Sequence, residues 1–278
     1  MSFSISGKTA IVTGAANGVG LAIARHFADH GANVVCVDMD EARLVAEFGD
    51  NAVSEDKDGR EMERQTRIFA GDLRKKLTIT NLLSTTLDAF DRVDILVNAS
   101  RKMCVSDPLD VADKSVPELM DQNMLTALRV SQHVAKRMIA QGSELDEESE
   151  VPLGVILNLS SIAASRSQPG LMAFSIAAAA SEQMTRSLAL ALAPHRIRVN
   201  AISFGSVMSA SLRDALREDA SIREQIIDGT PLGRIAPAEE LAETARFLCS
   251  DSSGFMTGQV IEVDGGRTLV DAVGAPAH

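Results

Sequence analysis

Thr13-Gly14-Ala15-Ala16-Asn17-Gly18-Val19-Gly20 follows directly on the apolar segment Lys8 to Val12 and leads into a helical pattern over Leu21 to His30. Strand, glycine turn and helix in that order are what phosphate binding by backbone amides requires. Gly14, Gly18 and Gly20 let the chain turn tightly and approach a pyrophosphate, which then sits at the positive end of the helix. A bare β-α connection has the same local pattern, so the next strand decides. Asn33 to Val37 runs into Asp38, 24 residues beyond Gly14, near the distance at which a carboxylate accepts hydrogen bonds from an adenosine ribose. The alternative for Asp38 is a cap on the following helix. Asp38 would also repel a 2′-phosphate, and Ala15, Ala16 and Asn17 offer no cation for one. NAD(H) is therefore expected over NADP(H), with Arg43 the basic residue close enough to argue otherwise.

Outward from this turn, short apolar segments rich in β-branched residues recur at Arg67 to Ala70, Val93 to Val97, Gly154 to Leu159, Arg196 to Ala201 and Gln259 to Val263. Helical periodicity fills the gaps, at Glu118 to Ala140, Ala177 to Ala193 and Glu239 to Cys249. Alternation of this kind predicts one Rossmann-type, doubly wound α/β domain over residues 1–278, with a central parallel seven-stranded sheet flanked by helices. No Pro/Gly/Ser linker and no fixed repeat divides it. The polar run Asp50 to Thr66 reads as a loop with a frayed helix end. The acidic stretch Gly142 to Glu150 reads as a solvated surface insertion.

Composition excludes several classes of function. The chain has 278 residues, 45% of them hydrophobic, and 38 Asp and Glu against 27 Lys and Arg, a net charge of -11. An acidic protein is not expected to bind nucleic acid or an anionic membrane, which leaves a small-molecule partner. Cys36, Cys104 and Cys249 have no paired spacing, and no C-x-x-C or Cys/His cluster offers a zinc site, so no metal is expected. No basic, apolar leader and no apolar run of membrane-spanning length is present, and the expectation is a soluble, cytoplasmic protein. Tyrosine and tryptophan are both absent, so no phenol is available as acid or base.

The spacing Thr13-Gly14-x-x-x-Gly18-x-Gly20 resembles that of the short-chain dehydrogenase/reductase family, and the resemblance runs in order along nearly the whole chain. Gly71-Asp72-Leu73 is similar to the family's adenine contact, Asp94 to Asn98 to the strand before its Asn-Asn-Ala-Gly turn, and Asn123 to its helix asparagine. Asn158-Leu159-Ser160-Ser161 resembles the strand carrying the catalytic serine, Arg198 to Ile202 the strand before the nicotinamide loop, and Thr257-Gly258-Gln259 through Asp264-Gly265-Gly266 the C-terminal signature. The resemblance implies cofactor contacts at Gly14, Asn17, Gly18, Val19, Gly20, Asp38, Asp72, Leu73, Asn98, Ala99, Val207 and Ser209. It also implies a substrate lid over about residues 206–230 and a homo-oligomer, dimer or tetramer, built on the alanine-rich helix over Ala173 to Ala193.

The catalytic end departs from that pattern. Counted from Ser161, the family's tyrosine falls on Phe174 and its lysine on Ala178, leaving Ser161 and Asn123 as the matching members of the tetrad. A phenol with a pKa of about 10 needs neighbouring positive charge to work near neutral pH, and here both parts are missing. No lysine occurs after Lys136, so the pair has not moved within this half. Ser175, Arg166, His133 and Cys104 remain as other proton handlers. Asn98-Ala99-Ser100-Arg101 puts a long cation where the family has a glycine, and Phe204-Gly205 stands for its Pro-Gly loop. Three functions stay open: an NAD(H)-binding pseudoenzyme acting as sensor, scaffold or inactive partner; an oxidoreductase of unknown substrate with a non-standard proton donor; and a scaffold that binds no nucleotide.

Overall fold

A computed structural model of the chain describes residues 3–49, 53–55, 61–63, 65–143, 151–219 and 221–271. Seven strands form the main sheet: β1 (Thr9–Thr13), β2 (Asn33–Asp38), β3 (Thr66–Ala70), β4 (Ile95–Asn98), β5 (Gly154–Ser161), β6 (Ile197–Phe204) and β7 (Val260–Val263). All pair in parallel, in the order β7-β6-β5-β4-β1-β2-β3. The segments expected as strands are all present, with no end shifted by more than three residues.

Side-chain alternation along the strands divides the core in two. Ala10 and Val12, Val34 and Cys36, Ile95 and Val97, and Val155 and Leu157 face one way and pack with α1 (Gly18–Asp29) and α9 (Ala238–Cys249). Ile11, Val35, Leu96 and Ile156 face the other way, toward α3 (Lys76–Phe90) and α5 (Thr126–Gly142). Burying each such side chain is worth about 1.5–3 kcal/mol, and both faces are covered because a parallel sheet needs helices on each side.

Two local features differ from the sequence expectation, and a third expectation falls outside the described residues. The polar run after Asp50 contains a short antiparallel hairpin, Val53–Glu55 with Glu61–Glu63. Backbone pairing alone makes such a ribbon, without an apolar stripe for the sequence pattern to reveal. The helix expected over Glu118 to Ala140 is interrupted: α4 (Ser115–Leu119) passes through a π turn at Met120–Leu125 before α5 begins. Of the acidic stretch Gly142 to Glu150, residues 144–150 lie outside the described residues.

The remaining elements are α2 (Glu41–Phe48), α6 (Met172–Leu192), α7 (Ala210–Glu218) and α8 (Ser221–Asp228). The pair α7 and α8 occupies the segment for which a lid was expected. Val207–Met208 pairs with Ala236–Pro237 at its base, so the segment leaves and rejoins the domain at one place.

Behind the C-terminal edge of the sheet runs a buried polar ladder. Asn98 Nδ2 donates to Asn158 Oδ1 at 2.8 Å and to Ser131 Oγ at 3.0 Å, and Asn158 Nδ2 donates to Thr185 Oγ1 at 2.8 Å. It ties β4 and β5 to α5 and α6. Asn158→Ala strands buried partners and is expected to cost about 1–3 kcal/mol in urea unfolding. The cysteines give a second check. Cys36 and Cys249 are fully buried, and burial pushes both thiols up, Cys249 to about 12, whereas Cys104 is half-buried. A thiol reagent is expected to reach Cys104 alone in native protein and all three cysteines after unfolding.

Candidate nucleotide and active site

The glycine turn is held by backbone contact. Gly14 has φ +69, and a Cβ there would lie 2.8 Å from the Ser100 backbone; a Cβ on Gly20 would lie 2.2 Å from the Gly14 carbonyl oxygen. Only hydrogen fits at either place, so the turn packs flush against the end of β4 and α1 starts immediately under it. Thr13 secures the same seam: its Oγ1 accepts from Ala99 N at 3.0 Å and Ser100 N at 3.1 Å. Asn17 caps α1, its Oδ1 accepting from Gly18 N at 2.7 Å. Val19 and Ala99 are buried beneath the turn.

Asp38 ends β2 beside this turn. Its Oδ2 accepts from Ala16 N at 3.2 Å and its Oδ1 from Met39 N at 2.7 Å and Asp40 N at 3.2 Å. The cap on α2 is Asp40, whose Oδ1 accepts from Arg43 N at 3.0 Å, so capping is not the task of Asp38. Gly71 N donates to the Asp38 carbonyl, which brings the end of β3 alongside. There Leu73 is buried, while Asp72 is gripped by Arg74 through two bonds of 2.9 Å. That guanidinium holds the Asp72 carboxyl below its ordinary pKa.

Across the seam, the ends of β4, β5 and β6 meet at a corner lined by Asn98, Arg101, Asn123, Ser160, Ser161, Phe174 and Ala178. Phe174 and Ala178 are both buried on α6. Ser161 Oγ accepts from Ala163 N at 3.3 Å. Asn123, in the π turn, has both ends of its amide engaged: Oδ1 accepts from Lys102 N and Nδ2 donates to Lys102 O, each at 2.8 Å. It thereby clamps the loop after β4, assisted by Lys102 and Glu118 at 2.5 Å.

That clamp aims Arg101 into the corner. Its guanidinium carbon lies 4.1 Å from the centre of the Phe204 ring and 5.8 Å from that of Phe174, and NH1 donates to Ser160 O at 3.1 Å. One side chain from the end of β4 thus bridges the ends of β5 and β6. The residue remains open to solvent in the cleft, yet protein rings its head group and pushes its pKa down to about 10, with no carboxylate among the described residues offsetting the shift. It is a cation at neutral pH. The space left at the corner is about 20 Å³, room for about one water.

Two further features were not legible beforehand. Ser160 Oγ donates to Glu182 Oε1 at 3.0 Å, and burial raises the pKa of that carboxyl. Val207 is buried, and Ser209 begins α7 with its Oγ accepting from Leu212 N. Ser209 also faces the glycine turn, since a Cβ on Gly18 would lie 3.7 Å from its own. The start of α7 therefore meets the glycine turn directly.

Comparison with known proteins agrees with this architecture. Residues 14–268 match the family profile described as Enoyl-(Acyl carrier protein) reductase. Oxidoreductase UcpA of Salmonella typhimurium is 32% identical over 276 residues, covering 97% of each chain. Among solved structures, a gluconate 5-dehydrogenase from Burkholderia cenocepacia in complex with NADP and tartrate superposes with a TM-score of 0.81 at 27% identity, over 97% of this chain and 98% of that one. A 3-ketoacyl-(acyl-carrier-protein) reductase from Brucella melitensis complexed with NADH gives 0.80 at 28% identity, over 95% and 100%. Glycine turn, seven-stranded sheet and these likenesses together place the chain in the short-chain dehydrogenase/reductase family, whose solved relatives here hold NADP or NADH.

Proposed function

We propose that the chain is an NAD(H)-binding member of its family that has lost ordinary carbonyl-alcohol proton chemistry and acts as a sensor, scaffold or inactive partner. The observation that carries this is the corner at β4, β5 and β6. Phe174 and Ala178 stand at the positions that resemblance assigns to tyrosine and lysine, and Arg101, stacked on Phe204, lines the same narrow space. Phenylalanine has no proton to give, and an arginine at this pKa is no acid near neutrality. General acid-base catalysis contributes about 10²- to 10⁴-fold, a factor this corner does not supply.

The adenosine side supports retained binding. Gly14, Gly18 and Gly20 leave room for a pyrophosphate at α1, and Asp38 stands ready for a ribose diol while disfavouring a 2′-phosphate. A dinucleotide laid across the strand ends directs its second nucleoside toward β4, β5 and β6, where Arg101 lies. Recognition then falls on the adenosine diphosphate half, and Arg101 works as a gate against the nicotinamide half.

One observation favours a second reading, an oxidoreductase with a non-standard proton donor. Glu182, with its raised pKa, reaches the pocket wall through the Ser160 hydroxyl. Turnover of NADH with a panel of carbonyl compounds, abolished by Glu182→Gln, would favour it over the first.

Calorimetric titration tests the primary reading. NADH, NAD⁺ and ADP-ribose are expected to bind within about threefold of one another, and NADPH about tenfold or more weaker, a difference of about 1.4 kcal/mol. Arg101→Gly is expected to tighten NADH but not ADP-ribose. Absence of binding at millimolar nucleotide would leave a scaffold; wild-type preference for NADH over ADP-ribose by tenfold would remove the gate. In the Arg101→Gly background, Phe174→Tyr with Ala178→Lys is expected to gain carbonyl reduction.

A homo-oligomer and a cytoplasmic setting complete the proposal. No helix among the described residues is long and apolar enough to cross a membrane. On α6, Ile176 and Leu190 are 42% and 78% exposed in the single chain, an outward apolar face suited to a second copy. Light scattering at micromolar concentration is expected to give a dimer or tetramer, and a clean monomer would remove this part.

A further inference from the structure

α1 and α9 lie side by side, and toward the C-terminal end of α1 they bring together three groups that the nucleotide site does not use. His26 in the last turn of α1 and His30, the residue that caps its C-terminus, stand four residues apart with ring centroids 4.1 Å from each other. Glu243 on α9 places Oε1 3.5 Å from His26 Nε2. One ligand atom from each of the three lies within 4.8 Å of the other two. The expectation from sequence was that no metal site existed; the His-x-x-x-His spacing was present, but its third member is more than two hundred residues away.

The hydrogen-bonding state of each group suits a cation. His30 Nδ1 lies 2.7 Å from the His26 carbonyl oxygen and donates to it, which leaves Nε2 as a lone-pair donor and holds the ring in place. His26 Nε2 is buried and has no hydrogen-bond partner, although a buried polar atom normally has one. Glu243 gives Oε2 to Arg246, at 2.7 and 3.1 Å, and turns Oε1 toward the histidine.

We propose that His26, His30 and Glu243 form a binding site for one divalent transition-metal ion of the zinc class, with a fourth position open to water. Two imidazoles and a carboxylate are a donor set that zinc accepts and that magnesium and calcium, which prefer oxygen, do not. The half-exposed Glu243 leaves a solvent path to the ion. Arg246, salt-bridged to the far carboxylate oxygen, orients that carboxylate and at the same time tempers the affinity by its charge. Bound there, the ion links α9 to the helix whose opposite end is the phosphate turn. The site stands independently of any reading of the nucleotide cleft.

The test uses the whole chain without a histidine tag, stripped with chelator and titrated with Zn(II) by calorimetry and with Co(II) by visible absorption. Expected are one equivalent per chain, a low-symmetry Co(II) spectrum, and a thermal midpoint raised by several degrees at saturating Zn(II). Because His26 packs against the core, its two more accessible partners are varied: His30→Gln and Glu243→Gln should each weaken Zn(II) about tenfold or more. His133→Gln and His195→Gln should leave it unchanged. No saturable binding at millimolar Zn(II), equal affinity in the His30 and Glu243 variants, or loss in the His133 or His195 controls would overturn the proposal.

Discussion

Everything at the functional edge is positioned by the close backbone contact between the turn after β1 and the end of β4. Gly14 meets the Ser100 backbone at a distance that excludes a Cβ, and Thr13 Oγ1 takes two amides from the same loop. This is also where the strand order reverses, with β2 and β3 on one side and β4 to β7 on the other. Crossovers then diverge to opposite faces and leave a crevice above the strand ends. Ala15 N and Ala16 N, reaching to Val37 O and Asp38, depend on the turn sitting there, and so does the direction in which Arg101 leaves β4.

The two sides of that crevice are built from different materials. On the β2 side, backbone amides and one carboxylate line the surface, a chemistry that matches phosphate and ribose. On the β5 side the lining is made of side chains, among them Asn98, Asn123, Ser160, Ser161, Phe174, Ala178 and Arg101, the last resting on Phe204. A guanidinium over an aromatic face is worth about 0.5–2 kcal/mol according to its solvation, and Phe204 supplies that face where a proline would not. The buried ladder from Asn98 through Asn158 to Thr185 keeps the strand ends rigid beneath it. A rigid frame thus lies beneath a corner whose lining contains neither a tyrosine nor a lysine.

Much of the fold was legible because its signals are local. Period-two alternation in Ala10-Ile11-Val12 and Val34-Val35-Cys36 separates the two cores directly. The glycine spacing located the tight turn before α1, and the step to Asp38 located the carboxylate that lies beside it. Helix ends and the π turn at Met120–Leu125 were less legible, since an extra residue in a turn hardly disturbs the apolar period. The choice between ribose contact and helix cap at Asp38 needed coordinates, which assign the cap to Asp40. Asn123 was recognised by position, but its grip on Lys102 follows from a loop conformation that no spacing encodes.

The sequence by itself determined the α/β architecture, the nucleotide turn and the absence of any phenol, because strand periodicity, glycine placement and composition are properties of neighbouring residues or of simple counting. Only the tertiary structure decided that Arg101 crosses from β4 to lie on Phe204, that Glu182 meets Ser160, and that Glu243 faces His26 and His30. Each of these joins residues that the chain separates by twenty to more than two hundred positions. Their meeting depends on strand order, helix packing and side-chain rotamers, which are settled by how the whole core closes.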